Sequence, residues 1–485
     1  MSENDTNADE GTETSSVRDR ILKRRRFLQA AGGVTAVGLL AGCQGQQQEP
    51  TTTAETTTSA TTTEATTAQE TTTTEAEETG PSLQEKYPGL RILSPEPENA
   101  EAAARETYTN MITQAEEFYI RNHYVSPDID ESEWTVSLTG LVDEEIELSM
   151  EELKRNFTTE TVFHTMQCSG NGRSYFDPQV GGNQWSFGAV GNAEWTGAPV
   201  SEILEAYGAD TSEGMWLTVM GGDNPEGEDI FTRSIPMSKV NEDVLLAFEM
   251  NGSPLPAEHG FPVRLLVPGW FGNNNVKWVD RMHVMDRMVY PNEEWEPEGG
   301  RLYTHWQQYS YRIFGQGIED PDFYETISQF DVQDQMDGDE VTHPYLYDQL
   351  VKSIIGFPGE DMTVGTGLGG RIEVIGVAWA GDDAVDTVEV STDGGETWND
   401  AEFMRPDIGP YSWRLFRYMW EAESGDHTLV SRATDENGNT QPATISSPED
   451  EAANQARIMN DQYPWNQKGY GNNAYMPHAV DVTVM

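Results

Sequence analysis

A chain of 485 residues that is 36% hydrophobic, with 13 Trp, 18 Tyr and 16 Phe, holds enough apolar material for two or three folded units. That excludes both a single small module and global disorder. Its 29 Lys and Arg stand against 83 Asp and Glu, a net charge of -54. Nucleic acid is thereby excluded as a partner, because binding it rests on basic side chains that neutralise phosphates. In the compact state so many like charges repel one another, unless molar salt shortens the screening length to about 3 Å. The composition therefore predicts a halophilic protein, built for a very salty solvent.

In chain order, Lys23, Arg24, Arg25, Arg26, Phe27 and Leu28 form a basic cluster containing R-R-x-F-L, followed by a small and apolar run from Ala30 to Leu40. The run is too short for a bilayer of roughly 30 Å. It reads as a twin-arginine export signal ending at Leu40-Ala41-Gly42-Cys43, a lipobox whose Cys43 becomes the lipidated first residue of the mature protein. Twin-arginine export carries folded proteins, so a cofactor loaded before export is expected. These features place the protein outside the cytoplasm, lipid-anchored to the outer face of the cytoplasmic membrane. From Gln44 the chain is Thr, Glu, Gln and Ala with almost no large apolar residue, which cannot repay the entropy of ordering and reads as a disordered stalk.

The folded body is expected from residue 87. Phe118-Tyr119-Ile120 leads into Arg121-Asn122-His123, followed by a strand-like stretch at Trp134 to Leu138 and a polar helix around Ser149 to Asn156. Thr161 to Met166 reads as a strand entering the turn Gln167-Cys168-Ser169-Gly170-Asn171-Gly172-Arg173-Ser174. Mixed short elements up to residue 345 predict an α+β unit. Beyond 346, the stretches Arg371 to Trp379, Val388 to Val390 before Asp393-Gly394-Gly395, Ser412 to Phe416 and His427 to Val430 predict an immunoglobulin-like β-sandwich. Gly365-Thr366-Gly367-Leu368-Gly369-Gly370 looks like a dinucleotide loop, but a strand follows where a helix is needed, so it reads as an interdomain turn.

Two cysteines are too few for a disulfide scaffold or a four-thiolate site. Cys168 sits in a glycine-rich turn with Arg173 five residues on. That charge and nearby backbone N–H dipoles favour thiolate, which is a soft metal ligand or a nucleophile with His164 or His123 as base. A buried inert cysteine satisfies the same residues.

The segment from Gln167 to Ser174 resembles the cysteine segment of the sulfite oxidase family of molybdopterin enzymes, in which a protein thiolate joins the pterin dithiolene on molybdenum. Further motifs follow in the family's order: Arg121-Asn122-His123; Trp185-Ser186-Phe187-Gly188-Ala189 with Trp195-Thr196-Gly197; Met250-Asn251-Gly252; His259 to Arg264; Val276-Lys277-Trp278; His305-Trp306-Gln307 through Tyr311; and Trp465 to Gly469. The resemblance implies a sulfite-oxidase-type molybdopterin domain over 87–345 and an immunoglobulin-like dimerisation domain over 346–485, preceded by the signal over 1–43 and the stalk over 44–86.

What the resemblance implies for single residues is specific. Cys168 is the molybdenum ligand. Arg121, Arg173 and Lys468 attract a small anionic substrate, Tyr311 hydrogen-bonds an equatorial oxygen, and Trp185 walls the pocket. Asn122, His123, His259, Arg264 and Lys277 hold the molybdopterin and its phosphate. Lys468 stands where well-studied members carry arginine, which keeps the charge and loses the bidentate fork. Ser310 and Gly172 also depart from the common pattern, towards bacterial sulfite dehydrogenase-like members. The implied activity is molybdenum-dependent oxidation of sulfite to sulfate. No C-x-x-C-H or haem module occurs in the sequence, so the electrons go to an external carrier, a c-type cytochrome or a blue copper protein. A homodimer is implied, with the membrane met through the lipid anchor alone. Two alternatives stay open: a molybdopterin-dependent reductase of a sulfoxide or oxyanion, and a non-catalytic surface-binding lipoprotein.

Overall fold

The computed structural model describes residues 81–289, 294–295, 301–302, 307, 311, 345–367, 370–404, 407–449, 461–466 and 468–485. The signal, Cys43 and all but the end of the stalk lie outside the described residues, as do His305, Trp306, Ser310 and Gln467. Among the described residues no helix is long and apolar enough to cross a membrane.

The first sheet joins β1 (Leu90–Ser94), β2 (Asn99–Ala102) and β3 (Ile120–Arg121) in that order. Two five-stranded sheets build the rest of the N-terminal part. One runs β5-β4-β13-β8-β9, where β4 is Thr135–Gly140, β5 Ile146–Ser149, β8 Trp216–Gly221, β9 Thr232–Pro236 and β13 Val279–Met285. The other runs β11-β10-β7-β6 with β12 beside β10, where β6 is Glu160–Gln167, β7 Val190–Pro199, β10 Leu245–Met250, β11 Ser253–Pro254 and β12 Arg264–Leu266. Three seven-residue helices, Met150–Asn156, Val200–Ala206 and Met237–Asp243, bury Leu153, Ile203, Leu204 and Val240 against Leu217, Val219, Val279 and Met282. The first of them starts where a capping box forms, with the Ser149 side chain accepting from Glu152 N–H and Glu152 accepting from Ser149 N–H. The architecture is thus mixed but mostly sheet, with less helix than the α+β expectation implied.

After the short ladder β14 (Glu294–Trp295) and β15 (Arg301–Leu302), the C-terminal part packs two sheets face to face. One is β16-β18-β22-β21: Lys352–Phe357, Ile372–Trp379, Arg414–Trp420 and Glu402–Phe403. The other is β17-β26-β23-β19-β20: Met362–Val364, Val480–Val484, Gly425–Asp435, Val385–Ser391 and Asn399–Asp400. Val374, Phe416 and Trp420 of the first meet Val388, Val390, Leu429, Val480 and Val482 of the second. In β26 the buried Val480, Val482 and Val484 alternate with the exposed Asp481 and Thr483, the period of a strand with one face on the core. Residues 365–367 follow β17 and residue 370 precedes β18, both strands of this sandwich, so the glycine-rich segment lies within it in chain order rather than between domains.

The sandwich also braces the strand that delivers the cysteine. Burial along β6 rises from its exposed start to four buried residues at its end. Trp379 Nε1 donates to Gln167 Oε1 at 3.0 Å, Trp413 N–H to Thr165 Oγ1 at 2.7 Å, and Gln349 Nε2 to the Thr165 carbonyl at 2.7 Å. Three buried bonds from one part of the chain therefore fix the last turn of strand before Cys168 in the other.

Candidate active site

Cys168 follows β6 directly, and its N–H donates to the carbonyl of Ala189, the residue just before β7, at 2.9 Å. The chain then turns tightly: Asn171 N–H reaches the Cys168 carbonyl at 2.9 Å, and Arg173 N–H the Gly170 carbonyl at 3.0 Å. Gly172 has φ 93°, a conformation that favours glycine, and a Cβ there would meet the Asn472 side chain at 2.8 Å. This accounts for the glycine at that position. The Gly471 N–H and the Asn472 amide clamp the turn from the C-terminal segment, at 2.7 Å to Ser169 O and 3.0 Å to Gly172 O.

Cys168 opens on a cavity that is also lined by Arg121, His123, Asp223, Arg233, His259, Arg264, Asn273, Lys277 and Tyr311. The cavity gathers cations in a protein of net charge -54. Arg264 is buried, with Nη1 donating to His259 O at 3.0 Å and Nη2 to Asn275 O at 3.2 Å, while its guanidinium lies 5.0 Å from the Trp195 ring. Lys277 Nζ donates to the Glu258 carbonyl at 2.7 Å and to Asn122 Oδ1. Burial and the neighbouring Arg264 pull the Lys277 ammonium down to about 7. Burial likewise takes His259 down to about 3, so its ring is neutral near pH 7. His259 Nε2, Arg264 Nε and both ends of the Asn273 amide are buried without a partner among the described residues.

The expected residues divide into two layers. Arg121, His123, Cys168, His259, Arg264, Lys277 and Tyr311 line the cavity together. Asn122, Arg173, Trp185 and Lys468 do not border it. Asn122 holds Lys277 in place and is itself tied to Glu98 and Ser126. Arg173 stands behind the cysteine turn, its Nε donating to the Lys468 carbonyl and its Nη1 to the Asn183 carbonyl, both at 2.9 Å, while its charge still reaches Cys168. Trp185 is 1% exposed and packs beneath Gly170, so it supports the turn instead of walling the pocket. His164, one of the two bases considered for a nucleophilic cysteine, is fully buried away from the cavity. It accepts from Gly269 N–H at 3.3 Å, and burial holds it down to about 3. The expectation of a favoured thiolate is also corrected. Arg121, Arg173 and the Gly170 N–H do pull the thiol down, but burial outweighs them and raises it. A bound metal cation would supply the missing charge and take the proton off.

Four residues here escaped the sequence reading: Arg233, Asp223, Asn273 and Tyr470. The Tyr311 and Tyr470 rings lie 4.7 Å apart, and the Arg173 guanidinium is 5.1 Å from the Tyr470 ring. Gln307 brings the Tyr311 segment to β9, its Oε1 accepting from Ser234 N–H at 2.8 Å and its Nε2 donating to Ser234 O at 2.7 Å. Arg233 had one signal available: in a chain with 29 basic residues, an arginine between Ile230-Phe231 and Ile235 calls for an explanation.

Residues 123–293 match the family model for the oxidoreductase molybdopterin binding domain, and residues 343–483 that for the Mo-co oxidoreductase dimerisation domain. The sulfite oxidase of Gallus gallus is 32% identical over 373 residues, covering 74% of this chain and 74% of its own. The mitochondrial sulfite oxidase of Homo sapiens is 32% identical over 413 residues, covering 82% of this chain and 66% of its own, so the alignment spans just under two thirds of that relative. The solved structure of the sulfane dehydrogenase SoxCD from Paracoccus pantotrophus superposes with a TM-score of 0.59 at 24% identity, over 86% of this chain and 96% of that one, and shows the shared fold.

Proposed function

From the premise that the chain belongs to the sulfite oxidase family of molybdopterin-dependent oxidoreductases, we propose that its cavity oxidises sulfite to sulfate and hands the electrons singly to an external carrier. The observation that carries this reading is the meeting of Cys168 with the cationic cluster of Arg121, Arg264 and Lys277 in one cavity. The donor set fits the cofactor. Cys168 offers a soft sulfur, while His259 Nε2 and Arg264 Nε are buried polar atoms with no partner among the described residues. Arg264 and Lys277 would hold the pterin phosphate, as fork and point charge, and neutral His259 would hydrogen-bond beside them. Molybdopterin with molybdenum supplies two-electron oxygen-atom transfer.

The chain's own groups do the rest. Arg121 at the cavity wall, with the charge of Arg173 behind, draws an anion into a protein whose surface repels it. Tyr311 donates its phenolic hydrogen to a substrate oxygen and is kept in place by Tyr470 against its ring. Sulfite and water become sulfate with release of two protons and two electrons. The carrier is a c-type cytochrome or a blue copper protein at the outer membrane face, reached by a protein tethered through Cys43. The C-terminal sandwich is read as immunoglobulin-like and as the homodimer contact. The family relation sets aside the non-catalytic alternative.

Sulfite-dependent reduction of a one-electron dye in molar salt, by protein carrying stoichiometric molybdenum, tests the reading. Loaded protein that reduces a sulfoxide or nitrate and ignores sulfite would reverse it. A second expected result concerns pH. Asp223 lines the cavity near Lys277 and Arg121, and burial raises its carboxyl to about 6. Below that pH it is neutral; above it, its negative charge opposes an incoming anion. Asp223→Asn should therefore leave the sulfite KM nearly unchanged at pH 5 and lower it roughly fivefold at pH 8, the order expected for one nearby charge at intermediate dielectric. The ratio of variant to wild-type KM across pH, which cancels the titration of sulfite itself, reads this out. A flat ratio would show that Asp223 does not act on the substrate.

A further inference from the structure

Arg233 is 1% exposed on β9 and borders the cavity, yet it belongs to none of the motifs discussed above. Its Nε donates to the Asn273 carbonyl at 2.7 Å and its Nη1 to the Thr232 carbonyl at 2.6 Å. The guanidinium lies 4.3 Å from the Phe231 ring and 5.4 Å from the Tyr311 ring, with the Tyr311 phenol in its hydrogen-bonding reach. The charged groups that act on it are Arg121, which repels it, and the phenols of Tyr311 and Tyr470; no described carboxylate pairs with it. That is unusual in a chain with 83 Asp and Glu. A buried guanidinium with two main-chain carbonyls and no counter-ion among the described residues is costly, and a second like charge beside it raises the cost. On the same wall the Asn273 side-chain amide is buried with neither end satisfied.

Both observations are explained by one bound anion. We propose that Arg233 is a substrate-binding residue that, with Arg121 and the Asn273 amide, selects a doubly charged oxyanion over a singly charged one of similar size. The proposal rests on the reading of the cavity as a sulfite-oxidising site and names the feature that sets its substrate class. Arg264 and Lys277 answer the cofactor phosphate, so the counter-ion of Arg233 is the substrate. Two adjacent guanidinium groups, one anchored by main-chain carbonyls, are matched in charge by a dianion such as sulfite or sulfate. A monoanion such as nitrate leaves one of the two charges uncompensated.

The test is equilibrium binding of labelled sulfate to the molybdenum-loaded protein, with nitrate as competitor, for wild type, Arg233→Gln and Arg233→Lys. Arg233→Gln is expected to weaken sulfate at least roughly tenfold and nitrate less than about threefold, the scale of one lost charge-assisted contact. Arg233→Lys keeps the charge, is the variant to read should Gln fail to fold, and is expected to weaken sulfate by roughly three- to tenfold through loss of the planar fork. Sulfate affinity within twofold of wild type in the variant that folds overturns the proposal, as does equal weakening of sulfate and nitrate. A wild type that binds no sulfate overturns it too. Sulfite-dependent dye reduction by the wild type, measured separately, decides the reading beneath it, since sulfate binding needs no turnover.

Discussion

Cys168→Ser protein is expected to fold, to keep its molybdenum and to lose sulfite-dependent dye reduction by a factor on the order of 10³ or more, since removing about 4 kcal/mol of transition-state stabilisation costs that much. The fold should survive. The residue's main-chain bonds to Ala189 and Asn171 do not depend on the side chain, and a serine hydroxyl can accept the Gly170 N–H that now reaches the sulfur. Metal content should survive because Arg264 and Lys277 hold the other end of the cofactor in the proposed arrangement. Activity falls because a hydroxyl is a poor ligand for a soft site. Metal analysis, the visible spectrum and turnover on one preparation check all three together. Turnover within tenfold of wild type by serine protein with full molybdenum would remove the thiolate from the mechanism.

Lowering the salt is the second large perturbation. The thermal midpoint is expected to rise by at least roughly 10 °C between 0.1 M and 2 M potassium chloride, as the screening length contracts from about 10 Å to less than 3 Å. The sign follows from compaction: folding brings carboxylates closer together than they are in the unfolded chain, so screening relieves the folded state more. Surface ion pairs do little to offset the repulsion. Those of Arg155 with Glu151, Arg371 with Glu421 and Arg417 with Glu402 are well exposed, a setting in which a pair contributes at most about 1 kcal/mol. Calorimetry across the salt series measures the shift. A midpoint constant within about 2 °C would mean that the acidic surface is neutral for stability.

Much of the site was legible because its residues lie in short contiguous runs. The turn from Gln167 to Ser174 shows its chemistry locally: a strand must end, the glycines must bend the chain, and one sulfur is left at the tip. His259 to Arg264 and Val276 to Trp278 are likewise single turns whose ends converge on one cavity, as Gly260 at φ 107° does beneath the Lys277 stem. The strands of the C-terminal sandwich were readable for a similar reason, since alternate residues face opposite sides and the pattern survives in one dimension. The short β3, by contrast, is held by β2 and leaves almost no pattern.

Sequence by itself determined the charge balance, the soft sulfur in its glycine turn and the alternation that builds the sandwich, because each depends on residues adjacent in the chain. Tertiary structure decided which cations face the cavity and which stand behind it. Arg173 and Trp185 read as pocket residues, yet they support the turn, while Arg233 and Asp223 read as nothing in particular and line the pocket. It also decided that burial outweighs two guanidinium groups at Cys168. The physical reason is common to both. Which way a side chain faces and how much water it loses are set by contacts far apart in the chain, such as Trp379 on Gln167 or Gln307 on Ser234, and no local pattern encodes them.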